Sequence, residues 1–226
     1  MKTLHTVICS ILAVLVSQGR AISDILTLPT TGDAYIEEAR ATLVLPKVPD
    51  SVKGDIAIRS GIMMNDKETF IQGVVSNSPT GSYCNDGGKK WCSFAYTITG
   101  STPTFGTPKS CSPGAAVKTE YKLNSKTQIW EQNVYVDGKS SSSVTNSRGQ
   151  VGNVFYLSIL CADGNACAEH PAHSWKDVSV VLNKADKDFG SSKVLNFGAT
   201  GGDMKTSDGG KTWKFETIKV PAQKAN

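Results

Sequence analysis

Helical periodicity is nearly absent from this chain of 226 residues, and that argues against any helical bundle. Long apolar runs are missing too. The one apolar run, residues 7–16, is too short to span a bilayer comfortably, and no later segment is apolar enough to try. No basic run interrupts a net charge of only +4, so nucleic acid is not an expected partner. No Gly-x-Ser-x-Gly elbow, phosphate-cradling glycine loop or nucleotide fingerprint occurs, which removes the usual serine hydrolases and nucleotide enzymes. The paired carboxylates that many sandwich-fold glycosidases carry on one strand are also lacking. Asn77-Ser78 is followed by Pro79, so no N-glycosylation sequon is formed.

What is present reads first as a secreted protein. Met1-Lys2, the apolar run and the small residues around Gly19-Arg20-Ala21 form a signal peptide over residues 1–21. Its removal takes Lys2 and Arg20 away and brings the mature chain close to neutral. Cys84, Cys92, Cys111, Cys161 and Cys167 remain on an oxidising route, where disulfides are the default. Cys84–Cys92 and Cys161–Cys167 can each close a small loop, leaving Cys111 over. Spacing does not fix connectivity, so Cys111 pairing with Cys84 or Cys92 stays open.

Short β-rich runs separated by Gly, Pro, Asn, Asp and Ser fill the rest. Candidate strands are 41–45, 55–60, 70–75, 93–98, 115–123, 128–136, 153–160, 176–182, 193–198 and 213–219. Residues 117–123 and 214–220 alternate as half-buried strands do, while 154–160 is apolar almost throughout and reads as a central strand. About ten such strands predict an all-β antiparallel sandwich or jelly roll in one domain. Its expected extent is 41–226, after an N-terminal arm over 22–40. The serines at 140–143 read as a flexible surface turn. Asp86-Gly87-Gly88-Lys89-Lys90-Trp91 is echoed by Asp208-Gly209-Gly210-Lys211-Thr212-Trp213, and the second copy fits an Asp-box, a structural hairpin.

Gln72 is the anomaly, a primary amide set between Phe70, Ile71, Val74 and Val75. Its donor and acceptor must both be satisfied, so it is a core hydrogen-bonding residue or it handles a ligand in a cleft. Its surroundings have a recognisable order: Leu45-Pro46-Lys47-Val48-Pro49, Phe70-Ile71-Gln72-Gly73-Val74, Asp86-Gly87 before Phe94-Ala95-Tyr96, Gly114-Ala115-Ala116-Val117, then Gln132-Asn133 and Asp137-Gly138-Lys139. Together these resemble the glutamic peptidases of fungi, the eqolisins, over about residues 41 to 139. The resemblance implies a concanavalin-like β-sandwich with Gln72 at the catalytic glutamine, which orients water and stabilises an oxyanion beside a glutamate acid-base. The strand matching that glutamate's, residues 155–161, holds no carboxylate, and Cys161 or a neighbour stands where the base belongs. Glu120, Glu131 and Asp163 are the other carboxylates to weigh.

Two further sets compete. Cys161, Cys167, His170 and His173, with Glu169, have metal-ligand chemistry, but a secreted Cys pair oxidises and Pro171 breaks a shared helical face; a disulfide-closed loop is expected and no metal. Cys111 as a nucleophile needs His170 or His173 as base. The resulting expectation is a secreted fungal protein acting without a cofactor on a small organic ligand in a concave cleft. Gln72 is its catalytic residue, and Tyr96, Trp130, Gln132 and Tyr156 contact the ligand. Cyclisation or cycloaddition fits, because proximity and a few donors do most of that work; hetero-Diels–Alderases of secondary-metabolite pathways are the analogy. The alternatives are a non-catalytic carbohydrate- or ligand-binding module and an acid glutamic peptidase.

Overall fold

The computed structural model describes residues 22–50, 54–79, 81, 83–161, 169–201 and 204–223. The expected signal peptide and Cys167 lie outside these residues.

All the strand pairings are antiparallel, and they build two layers. In the first, β1 (Ile22–Pro29), β11 (Gly152–Cys161), β3 (Ile56–Met64), β4 (Thr69–Asn77) and β5 (Trp91–Thr99) lie side by side. The short β6 (Thr102–Phe105) and β7 (Lys109–Cys111) share the outer edge of β5, and β13 (Val194–Leu195) borders β1. The second layer runs β10 (Lys139–Asn146), β9 (Ile129–Val136), β8 (Ala116–Asn124), β2 (Ile36–Val44), β12 (His173–Leu182) and β15 (Thr212–Val220), edged by β14 (Thr200–Gly201). Gly152 opposite Ile36 joins β11 to β2, so hydrogen bonding is continuous from one layer to the other.

The inward faces pack a core that includes Trp91, Trp130, Trp175, Phe155 and Phe215. A polar seam crosses this core. The Ser60 hydroxyl lies 2.6 Å from Thr119 Oγ1 and 2.9 Å from the Tyr121 hydroxyl, and the Gly73 amide donates to that same Tyr121 oxygen at 2.6 Å. Burial raises the Tyr121 phenol to about 12. Gly73 is required here, since a Cβ would stand 2.0 Å from Thr119 Cγ2.

Nine of the ten candidate strands coincide with observed ones, whereas in 193–198 only Val194–Leu195 is strand; β11 is central, flanked by β1 and β3. Two expectations are corrected. The stretch 22–40, read as an arm, carries β1 and the first part of β2. The Ser140–Ser143 run is no flexible turn: it lies in β10, which pairs with β9 across the tight Asp137-Gly138 turn, both residues having positive φ. Ser142 faces inward and its hydroxyl accepts from the Ala95 amide at 3.1 Å.

The Cys84–Cys92 disulfide is present. Cys161 is disulfide-bonded as well. Cys111 is a free, buried thiol 3.2 Å from Ser93 Oγ. The second Asp-Gly-Gly repeat is a closed turn: Asp208 Oδ1 accepts from the amides of Lys211 and Thr212, which pulls its carboxyl down to about 2, and Trp213 Nε1 donates to the Gly210 carbonyl. Among the described residues no helix is long and apolar enough to cross a membrane.

Candidate ligand cleft

Strand parity decides what can face a ligand. Residues paired across antiparallel strands share a face. On the side of the first layer turned away from the core, one row runs Tyr156 (β11), Gly61 (β3), Gln72 (β4), Tyr96 (β5) and Phe105 (β6). The row beside it runs Asp24 (β1), Ser158 (β11), Arg59 (β3), Val74 (β4) and Phe94 (β5). Side chains on an open sheet face stand in water, yet Gln72 is 3% exposed, Tyr156 6% and Ser158 0%. The face is therefore recessed. Tyr83, next to the disulfide-bonded Cys84, stacks 4.5 Å from Phe94, and Phe105 meets Tyr83 edge-on at 6.2 Å, which makes an aromatic wall at one side.

Gln72 is on this face, and it is not free. Arg59 Nη1 donates to Gln72 Oε1 at 2.9 Å. A guanidinium carries donors only, so the amide is fixed with its oxygen toward Arg59 and its NH2 turned elsewhere. Tyr156 reaches across Gly61: a Cβ there would lie 2.7 Å from the Tyr156 hydroxyl and 2.6 Å from the Ile71 carbonyl. The Tyr156 ring meets Phe70 edge-on at 6.2 Å. Burial raises its phenol well above the ordinary tyrosine range, with Arg59 opposing. Burial also raises the Asp24 carboxyl, again opposed by Arg59.

Of the expected ligand contacts, Tyr156 and Tyr96 lie beside Gln72 on the recessed face; Trp130 and Gln132 do not. Trp130 is fully buried between the layers, its indole N–H donating to the Gln150 carbonyl at 2.9 Å. Gln132, one position pair along the same face of β9, is a satisfied core amide. Its Oε1 accepts from the Gln72 backbone amide at 3.1 Å, and its Nε2 donates to Thr97 Oγ1 and, at 3.3 Å, to Asn146 Oδ1. Cys161 faces the core rather than the cleft. Glu131 is exposed on the second layer, Glu120 pairs with Lys118 at 2.8 Å, and Asp163 is outside the described residues. Burial raises the Cys111 thiol, which makes it a poor nucleophile. Among the described residues no three His, Cys, Asp or Glu side chains gather as a metal would require.

Sequence reading passed over Arg59, Asp24 and Ser158. Arg59 carried the same signal as Gln72, a polar residue within the apolar run Ile56-Ala57-Ile58-Arg59-Ser60-Gly61-Ile62. Asp24 sat in the stretch read as an arm.

No family model matches the chain, and no curated protein matches its sequence. Solved structures do match. Scytalido-glutamic peptidase, bound to a transition-state analogue inhibitor, superposes with a TM-score of 0.54 at 13% identity, covering 87% of this chain and 99% of that one. SCP-B, an eqolisin in complex with the tripeptide Ala-Ile-His, gives a TM-score of 0.51 at 11% identity, covering 90% of this chain and 100% of that one. The architecture is the eqolisin β-sandwich. At such identities the likeness speaks for the fold alone, so the chemistry of this eqolisin-fold cleft rests on its own residues.

Proposed function

We propose that the cleft binds a small organic ligand through a carbonyl or phenolic oxygen and promotes its cyclisation or cycloaddition without a cofactor. The observation that carries this reading is the Arg59–Gln72 hydrogen bond. It fixes the amide oxygen on a cation and leaves the amide NH2 as a donor. A fixed donor beside a flat aromatic surface lowers the energy of a polarised carbonyl and holds a reactive conformer. Tyr156, kept protonated by burial, is a second donor. The eqolisins use a glutamine with a glutamate for peptide hydrolysis; on β11 the side chains facing this cleft are Tyr156, Ser158 and Leu160. Peptidase chemistry therefore lacks its carboxylate on that strand. We place the protein in a fungal secretory pathway, on the signal-like residues 1–21 and the Cys84–Cys92 disulfide.

Disrupting the gene in its host tests this directly. An uncyclised precursor should accumulate, and a Gln72→Ala copy should fail to restore the product. An unchanged metabolite profile overturns the reading. Casein cleavage at pH 3 to 4 that Gln72→Ala abolishes replaces it with the peptidase. Binding on a glycan array through Tyr83 and Phe105, both exposed aromatics, replaces it with a carbohydrate-binding module.

A further inference from the structure

Three neighbouring strands place Asp24, Ser158 and Arg59 directly across from one another. Each has polar atoms without a partner. Arg59 Nε and Ser158 Oγ are buried and make no hydrogen bond, and Ser158 is wholly inaccessible to solvent. The Asp24 carboxyl makes no hydrogen bond to any described residue; its charged neighbour is Arg59. Buried polar atoms in folded proteins are nearly always paired, because an orphan forfeits its hydration. Two buried orphans in one row, Arg59 Nε and Ser158 Oγ, with the half-buried Asp24 carboxyl beside them and the guanidinium already aligned by Gln72, mark a binding feature.

We propose that this row is the anion-binding half of the cleft. It takes the ionised oxygen of the ligand, a carboxylate, enolate or phenolate, on Arg59 and Ser158, while the ligand's flat apolar body lies toward Phe70, Tyr96 and Phe94. The inference rests on the reading of this face as a ligand cleft and specifies the ligand's charge. Guanidinium and hydroxyl both donate, and a charge-assisted pair of this kind is stronger than its neutral counterpart. Asp24 supplies a gate. The titratable and charged groups facing it are Arg59 from β3 and Tyr156 from β11. Protonated, Asp24 donates a third hydrogen bond to the anion; ionised, it repels the anion and competes for Arg59. Anion affinity is thus highest at low pH and falls as Asp24 ionises.

Titration calorimetry with benzenesulfonate, anionic throughout the range, and with neutral benzamide tests this on the intact protein. Benzenesulfonate should bind, and Arg59→Gln should weaken it by about tenfold or more, a larger loss than benzamide suffers from the same change. Asp24→Asn should abolish the decline in sulfonate affinity with rising pH. Ser158→Ala, the gentler change, should weaken sulfonate by a few-fold and keeps the test open if Arg59→Gln does not fold. Benzamide binding that Gln72→Ala weakens, with no sulfonate binding, overturns the anion site and leaves the cleft standing. Sulfonate binding indifferent to Arg59, Ser158 and Asp24 also overturns it. Failure of both probes to bind removes the cleft and the anion site together.

Discussion

Gln72 and Gln132 are both buried amides in apolar strands, and the backbone of one donates to the side chain of the other. They do opposite things. Gln132 points between the layers and satisfies both ends within the protein, against Gln72, Thr97 and Asn146. Gln72 points to the recessed face and has one end fixed by a cation. Burial alone therefore does not distinguish a structural amide from a working one. What distinguishes them is which end is left over and which way the strand turns it.

Breaking the inner amide should do the most damage to the fold. Gln132→Ala strands the Gln72 amide and the Thr97 and Asn146 side chains and opens a cavity; we expect about 3 kcal/mol of lost stability in urea unfolding. A loss under 1 kcal/mol would show that water replaces the amide and that the contrast is overstated. Gly61→Ala comes next, at about 1–3 kcal/mol, because the Ile71 carbonyl is backbone and cannot step aside. Tyr156 should be displaced with it, visible as a shifted tyrosine near-ultraviolet signal. Gln72→Ala should cost only about 1 kcal/mol in the same assay while removing ligand binding; equal damage from the two glutamine variants would erase the distinction.

The smallest effect concerns acid. The interlayer seam holds amides and hydroxyls, so it does not ionise near neutral pH. His170 and His173 are buried and neutral, His170 held down at about 4 by burial and by His173, and His173 lowered by burial. With folded pKa values below the unfolded value of about 6.5, unfolding takes up protons. The stability contribution is complete above pH 6.5 and is lost as pH falls toward about 4. A double variant, His170→Gln with His173→Gln, should flatten the slope of unfolding midpoint against pH across that window.

Much of the strand layout was legible because alternation and turn residues are local. The central place of β11 followed from its unbroken apolar run. The missed strands are those whose partners lie far away or whose residues are atypical. The serines of β10 have low strand propensity, and the ladder with β9, the Asp137-Gly138 turn and the facing β5 hold them extended. Gln72 was legible as an anomaly. Its register partners were not, because a face is shared only once pairing is known. Trp130 and Gln132 share a face with each other, as parity required, but nothing in β9 itself says that this face is turned inward.

The polar row of the cleft draws on parts of the chain far apart in sequence. Asp24 comes from the first described strand and Ser158 from the eleventh, and β1 is tied to its neighbour by contacts such as Thr30 to Asn153, 123 residues apart. Such a closure has a large entropic cost and forms late in folding. A strand covered on its outer side by only the two-residue β13 is also a place where a fold opens early. A molecule with β1 detached would keep the Gln72–Arg59 pair yet lose the Asp24 carboxyl, together with the core packing of Ile25, Leu26 and Leu28. Competence at this face therefore reports that β1 has docked on β11, and loosening of that one strand silences it.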